Sequence, residues 1–413
     1  MKILYLCHRI PYPPNKGEKI RAFHQIRAMA ERHEVDVFTL ADDPKDLSHK
    51  EALGKHCASV TVIPISARWR RVAAIPYLLS GRALSLPCFY SRELAKAVRR
   101  QARERSYDRI FLYCSVMGQY LDELPAETPV VADFVDVDSD KWTQYAAYAK
   151  YPISAVYRRE GRCLRNWERR LSEQVASVLV STDREARLLR GIAPAARVEA
   201  VPNGVDSDYF SPAAVPRTPG PPTIVFTGDM SYFPNQNAVT WFADDVLPKI
   251  AAQIPAVRFL VVGRNPGPAV RALERREGVE ITGYVPDVRT HLARATVAVA
   301  PFHIAAGIQN KILEAMSYGL PVAATPRAAQ GLTEGCRSLV QTAESAQDFA
   351  ATVVSLLQDR ELASGLGSAG RERVVEEYSW AGSLRRMLEL LEAPLRGGRL
   401  RNRALTAEAV RGS

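Results

Sequence analysis

The residues with the most chemical promise lie between Ala300 and Val322, in the run APFHIAAGIQNKILEAMSYGLPV. An apolar stretch ending at Pro301 reads as a strand, and a loop containing Gly307 turns into a helix expected over Ile308–Tyr318. Ile308, Ile312 and Met316 recur every fourth residue and predict a buried face. Gly307, Asn310 or Lys311, and Glu314 then share the other face. A helix N-terminus with a bare glycine offers outward amides and the positive end of a dipole to an anion. Lys311 adds a cation, and Glu314, about one turn deeper, can accept both hydroxyls of a ribose. Together they suit a nucleoside diphosphate. The plainer reading of the same spacing is a surface Lys–Glu pair.

Other residues invite chemistry with less pattern behind them. Asp133, Asp136, Asp138 and Asp140 form a dense acidic patch after a strand expected over Pro129–Phe134. An Asp-x-Asp of this kind can hold Mg²⁺ or Mn²⁺ against a diphosphate, or it can be a capped, solvated loop. Arg264 follows the strand expected over Val257–Val262 and is a phosphate contact or a surface arginine. His8 ends the first strand and either packs there or touches substrate. Pro13-Pro14-Asn15-Lys16-Gly17-Glu18 opens the first helix.

The elements that must position these residues alternate. Strands are expected at Ile3–Cys7, Val35–Leu40, Ser59–Ile63, Arg109–Tyr113, Pro129–Phe134, Ser177–Ser181 and Arg197–Val201. Helices are expected at Glu18–His33, near Ser91–Arg105, at Val156–Gln174 and at Asp183–Arg190. Such alternation means right-handed crossovers and a parallel sheet. Six prolines between 202 and 222 give a linker composition. The alternation then restarts with strand Thr223–Thr227, helix Asn235–Ile250 and strands Val257–Val262, Val279–Ile281, Thr296–Ala300 and Pro321–Ala324. Helices follow across 345–377 and from Trp380. The expected class is therefore α/β with two Rossmann-like halves.

Length and composition agree. At 413 residues the chain exceeds one ordinary core, and its 47% apolar and 24% charged content is that of a globular protein. The 55 Lys and Arg against 45 Asp and Glu leave a formal charge of +10 and point to an anionic partner. The six cysteines, none in a C-x-x-C pair, fit a reduced cytoplasmic chain without a metal framework. The start of the chain reads as a buried strand rather than a signal segment, and no apolar stretch is long enough to span a membrane. P-loop, G-x-G-x-x-G, G-x-S-x-G and H-E-x-x-H motifs are all missing. Residues 155–172 hold six arginines and two glutamates; with Arg68-Trp69-Arg70-Arg71 they suggest a basic, partly apolar face. The arginine-rich tail 396–413 reads as disordered.

Gly307-x-x-x-Lys311-x-x-Glu314-Ala315-Met316-x-x-Gly319-x-Pro321-Val322 resembles the donor-site signature of family 4 glycosyltransferases, which have the GT-B fold. The resemblance extends along the chain. Pro202-Asn203-Gly204-Val205-Asp206 is similar to the family's interdomain motif. Ile281-Thr282-Gly283-Tyr284-Val285 with Asp287 resembles its base-side loop, and Val261-Val262-Gly263 its strand end. Tyr378-Ser379-Trp380 resembles the start of its crossing helix. The resemblance implies two Rossmann-like domains with parallel sheets facing an interdomain cleft. Residues 1–205 would form the acceptor side, completed by helix 380–393; 206–222 the linker; and 223–378 the nucleotide-sugar domain. It implies transfer of a sugar from a UDP- or GDP-sugar with retention and without a metal or cofactor. Gly307, Asn310, Lys311, Glu314, Gly228, Arg264, Gly283 and Val285 would bind the donor. Lys16 and Gly17 sit where the family's glycine loop faces the phosphates, and Asp136 and Asp138 fall on the acceptor side.

Two departures stand out. The family's first signature glutamate is Ala306 here, so contact with the donor sugar falls to His303 or main-chain amides. The run from Phe226 to Asn235, with those at 7–21 and 136–142, resembles the sugar transferases of exosortase and PEP-CTERM exopolysaccharide systems. That implies a polyprenyl-diphosphate-linked glycan acceptor, no nucleic acid, and work in the cytoplasm, peripheral on the anionic inner face of the plasma membrane. A sugar-nucleotide epimerase and a non-catalytic nucleotide-binding protein are the alternatives.

Overall fold

The computed structural model describes residues 1–14, 17–66, 70, 72 and 74–394. Lys16, Arg68, Trp69, Arg71 and the tail 396–413, all singled out above, lie outside the described residues. The chain forms two compact units, one of Met1–Pro202 joined by the chain from Ser383 on, the other of Asn203–Gly382.

The first unit is a seven-stranded parallel sheet. Its strands are β1 (Lys2–Cys7), β2 (Glu34–Ala41), β3 (Ser59–Pro64), β4 (Arg109–Tyr113), β5 (Val130–Val135), β6 (Ser177–Val180) and β7 (Val198–Ala200), in the order β3-β2-β1-β4-β5-β6-β7. Ile3 to Cys7 are fully buried, as expected of a central strand covered on both faces. The longer helices are α1 (Gly17–Ala30), α2 (Arg92–Glu104), α3 (Asp138–Tyr148), α4 (Ile153–Gln174) and α5 (Asp183–Ile192). Ser91 and Thr182 cap α2 and α5 by accepting from Leu94 and Glu185 amides.

The second unit repeats the plan with six strands, β8 (Thr223–Thr227), β9 (Arg258–Val262), β10 (Val279–Gly283), β11 (Val297–Ala300), β12 (Val322–Ala324) and β13 (Gln341–Thr342). Their order is β10-β9-β8-β11-β12-β13, again parallel. Its longer helices are α6 (Phe233–Trp241), α7 (Asn310–Ser317), α8 (Ala346–Gln358) and α9 (Arg360–Glu377). The chain runs from α6 to Ala251 through a π turn at Phe242–Val246. In a regular helix the ring of Pro248 would strike the carbonyl of residue 244, and the wider turn precedes it. Helix α10 (Trp380–Glu392) returns to the first unit, where Met387, Leu388, Leu390 and Leu391 join the core of Ile3, Tyr5 and Val35.

Three expectations need correction. The acidic stretch at 138–140 is not a loop but the start of α3, where aspartates favour the positive end of the helix dipole. The helix of the donor signature begins at Asn310 rather than Ile308, and Ile308 is only partly buried. The stretch 206–222 is not a free linker. Ser317 and Tyr318 donate hydroxyls to the Phe210 and Val215 carbonyls, Arg371 reaches the Phe210 carbonyl at 3.1 Å, and Phe210 and Val215 pack on the second core. Proline removes donors but leaves these carbonyls available.

Candidate functional site

Each sheet reverses its strand order between two neighbours, β1 and β4 in one and β8 and β11 in the other. Ligands of doubly wound sheets sit beyond the carboxyl ends at such a switch point. In the second unit the loops there are those after Thr227 and after Ala300, so both halves of the donor signature meet where the topology opens a crevice.

Close main-chain approach builds that crevice. A Cβ on Gly263 would stand 1.6 Å from the Gly228 oxygen, and one on Gly228 would fall 2.8 Å from Lys311 Nζ. Gly307 takes φ +56°, the left-handed region that glycine enters at little cost. A Cβ on Gly331 would lie 2.1 Å from the Gly307 oxygen. The glycines therefore bring the loop after β8 onto Lys311 and fix the loop that enters α7.

Lys311 is directed under this loop. Its ammonium donates to Asn235 Oδ1 at 2.9 Å and lies 3.9 Å from the Phe226 ring centroid and 4.6 Å from that of Phe302. Burial pushes its pKa down to about 7, and Glu314 opposes that fall. Burial pushes Glu314 up to about 7, with Lys311 pulling the other way. Lys311 and Glu314 form no ion pair, and the Glu314 side chain has no hydrogen-bond partner among the described residues. Gln309 provides no side-chain cap to α7. The arrangement is a half-buried cation, an uncapped helix start and an unpartnered carboxyl on one face, which is not a surface salt bridge.

The remaining donor-side residues fall around this centre. Asn310 accepts from Asn203 at 3.0 Å, which ties the signature to the Pro202–Asp206 motif. Arg264 pairs through Nε with Asp229 at 2.9 Å rather than standing open. Burial raises the Asp229 pKa, but hydrogen bonds from Ser231, Arg264 and Asn265 hold it below the usual carboxylate range. Gly283 takes φ +69° beside exposed Tyr284, and Val285 packs on the core. Asp287 is held by Arg289 at 2.7 Å, and Arg289 stacks 3.8 Å from the Tyr209 centroid. His303 stands edge-on to Trp241 with ring centroids 4.6 Å apart, and burial lowers its pKa. Sequence reasoning missed Phe226 and Phe302 as the floor beneath Lys311 and Asn235 as its acceptor. Aromatic residues closing two adjacent strands were the available signal.

At the carboxyl ends of the first sheet, the carboxylates of the acidic patch are held one by one. Asp133 is buried and paired with Arg21 at 2.8 Å. Asp136 accepts from the Ser181 hydroxyl at 2.9 Å, and burial raises its pKa. Asp138 pairs with Lys141, and Asp140 with Arg184 at 3.1 Å. Each carboxylate thus has its own donor, and no group of three metal-ligating side chains occurs among the described residues. Gly17 is exposed as the first residue of α1. His8 is buried against Phe89 and Tyr113, and burial lowers its pKa to about 4. An open depression of about 950 Å³ does occur in this unit, but it is lined by Lys2, Glu34 and Asp108 at the amino ends of the strands, away from all these residues.

Comparison with known proteins bears on both units. The family model described as "Glycosyl transferase 4-like domain" matches residues 17–204, and that described as "Glycosyl transferases group 1" matches 221–359. The chain belongs to the family 4 glycosyltransferases. A GDP-mannose-dependent alpha-(1-6)-phosphatidylinositol monomannoside mannosyltransferase of Mycobacterium tuberculosis is 27% identical over 226 residues, 49% of this chain and 57% of the relative. The phosphatidyl-myo-inositol mannosyltransferase of Mycolicibacterium smegmatis is 29% identical over 191 residues, 44% of this chain and 48% of the relative. The chain therefore spans about half the length of the curated relatives it matches.

Among solved structures, sucrose-phosphate synthase from Thermosynechococcus elongatus has a TM-score of 0.70 at 19% identity, over 95% of this chain and 98% of that one. Anabaena Alr3699/HepE in complex with UDP and glucose gives 0.68 at 15%, over 95% and 100%. The chain has the α/β GT-B fold, with two Rossmann-like parallel-sheet domains.

Proposed function

We propose that this glycosyltransferase moves a sugar from a UDP- or GDP-sugar to a lipid-linked or oligosaccharide acceptor, with retention and without a metal. One observation carries the reading: Lys311 lies under Gly228 at the switch point, one turn before an unpartnered Glu314. The diphosphate leaving group takes its countercharge from Lys311 and the first amides of α7, and Glu314 receives the ribose. Stabilising charge on the departing diphosphate supplies most of the catalysis. Gly228 and Gly307 let main chain approach the phosphates; Gly283 and Val285 border the base. His303 contacts the donor sugar where Ala306 cannot. Arg264 reaches the phosphates while bound to Asp229, and the resemblance assigns Lys16 and Gly17 to the phosphates as well. Asp136 and Asp138 orient the acceptor hydroxyl.

Residues 1–205 form the acceptor side and 223–378 the nucleotide-sugar side. By name the matched relatives act on phosphatidyl-myo-inositol or on phosphatidylinositol monomannoside, which supports a lipid-borne acceptor. The stretches at 7–21, 136–142 and 226–235 support a polyprenyl-diphosphate glycan of exopolysaccharide synthesis in an exosortase and PEP-CTERM setting, at the inner face of the plasma membrane. No described helix is long and apolar enough to cross a membrane.

The test is calorimetry with UDP, GDP and their sugars on the wild type and Glu314→Gln. Losing a charge-assisted hydrogen bond costs about 1.5–3 kcal/mol, roughly 10- to 150-fold in affinity. Unchanged affinity for the best nucleotide sugar in Glu314→Gln removes the ribose assignment.

A further inference from the structure

We propose that the first domain docks on an anionic phospholipid surface through an apolar ridge formed by residues 75–79 and 148–153, flanked by an arginine stripe on α4. The proposal rests on the transfer reading and names the surface that would bring such an enzyme to a lipid-borne acceptor. Among the described residues fifteen large apolar side chains stand exposed, and seven of them fall within 72–79 and 148–153. Leu79 is 98% exposed and Tyr151 84%; Ile75, Leu78, Tyr148 and Ile153 stand out beside them. A concentration of this kind on one part of a soluble surface marks an interaction site.

The two stretches are joined. Arg159 donates to the carbonyls of Tyr77 and Arg82, at 2.5 and 3.1 Å. Glu160 accepts from the Leu84 and Ser85 amides at 2.6 and 2.8 Å. These contacts hold residues 77–85 on the first half of α4, whose start is Ile153, about 9 Å along the axis from Arg159.

From Ile153 to Arg170 the exposed charge of α4 has one sign only, and the first exposed carboxylate, Glu173, comes after it. Sequence counts six arginines against two glutamates in this segment, but both glutamates are buried, Glu168 taking the Ser139 amide at 3.1 Å. Arg159 is also turned inward, which removes it from the basic face expected from sequence. Five remain exposed, Arg170 among them; Arg158, Arg162, Arg165 and Arg169 are spaced 4, 3 and 4, so these four line one face over about 16 Å. None of them forms an ion pair among the described residues. Apolar side chains beside unpaired arginines match a bilayer interface, where the first enter the acyl boundary and the second meet lipid phosphates. A nucleic acid or an acidic protein would satisfy the stripe but leave Leu79 and Ile75 without a role.

The test is co-sedimentation of the full chain with phosphatidylcholine vesicles, with and without phosphatidylglycerol, across a salt series. The wild type should pellet with the anionic vesicles, less so as salt rises. Ile75→Ser with Leu79→Ser should weaken that binding on the order of tenfold. Arg162→Gln with Arg165→Gln should weaken it about fivefold per residue at low salt and flatten the salt dependence. Both variants should keep wild-type affinity for the nucleotide sugar, which reports an intact fold. Wild type remaining in the supernatant overturns the proposal. So does equal vesicle binding by wild type and Ile75→Ser/Leu79→Ser, which would assign any association to plain charge elsewhere, including the arginines beyond Pro394. A wild type that binds vesicles but no nucleotide sugar would instead sink the transfer reading and leave the docking surface standing.

Discussion

Donor binding should move protons, and the sign of that movement should reverse near neutral pH. Lys311 and Glu314 both titrate at about 7 in the free protein, each displaced by burial. A diphosphate beside Lys311 favours the ammonium and raises its pKa in the complex. At pH 8 about nine-tenths of Lys311 is neutral beforehand, so binding should take up close to one proton. A ribose held by Glu314 favours the carboxylate and lowers its pKa. At pH 6 about nine-tenths of Glu314 carries its proton, so binding should release close to one. Affinity should therefore be greatest near pH 7 and fall up to about tenfold per unit on either side. The assay is calorimetry with UDP-glucose or GDP-mannose in two buffers of different ionisation heat at pH 6, 7 and 8. A nucleotide sugar is the right probe because its diphosphate has no ester-free phosphate to titrate in this range. Lys311→Met should abolish the uptake at pH 8 and spare the release at pH 6; Glu314→Gln should do the reverse. Proton uptake at pH 8 that persists in Lys311→Met would refute the assignment of the phosphates to Lys311.

Three further outcomes follow from the same contacts. Sugar transfer should survive EDTA, because the diphosphate charge is assigned to Lys311 and the amides of α7; loss on chelation and recovery with Mn²⁺ would transfer that role to a cation. Gly331→Ala puts a methyl 2.1 Å from the Gly307 oxygen, so it should cost about 1–3 kcal/mol of stability and weaken nucleotide binding, measured by denaturation and calorimetry. Glu168 is buried and its pKa is raised to about 8, with the Ser139 hydrogen bonds opposing the rise. The folded state keeps this proton where the unfolded chain has lost it, so the contribution to stability is full below about pH 4.5 and is lost as pH rises through 8. Glu168→Gln should thus gain on wild type between pH 5 and 8, by about 1 kcal/mol per pH unit. Melting temperatures that stay parallel across that range would show that Glu168 is ionised in the fold.

The sequence alone determined the alternation of strands and helices, because buried parallel strands such as Ile3–Cys7 are continuous apolar runs and α4 repeats its apolar residues at helical spacing. It also determined the grouping of Lys311 and Glu314, since a three-residue step shares a helix face wherever that helix is placed, whereas Gly307 falls in the loop that enters the helix. Partners distant in the chain were not legible. Nothing local says that Lys311 reaches Asn235 and the rings of Phe226 and Phe302, or that Arg264 is held by Asp229, because the sheet order that brings β8 beside β11 is a long-range choice. The four aspartates from 133 to 140 look like one acidic patch in the sequence. In the fold each is held by its own donor: one is inside a strand, one follows it and two begin a helix, and only Asp138 is paired within its own element, to Lys141. The six arginines and two glutamates of residues 155–172, within α4, likewise read as a mixed surface. Packing decided otherwise: Glu160 and Glu168 turn inward to meet amides, since a buried carboxyl needs donors, Arg159 turns inward to carbonyls, and the other five arginines are left facing water.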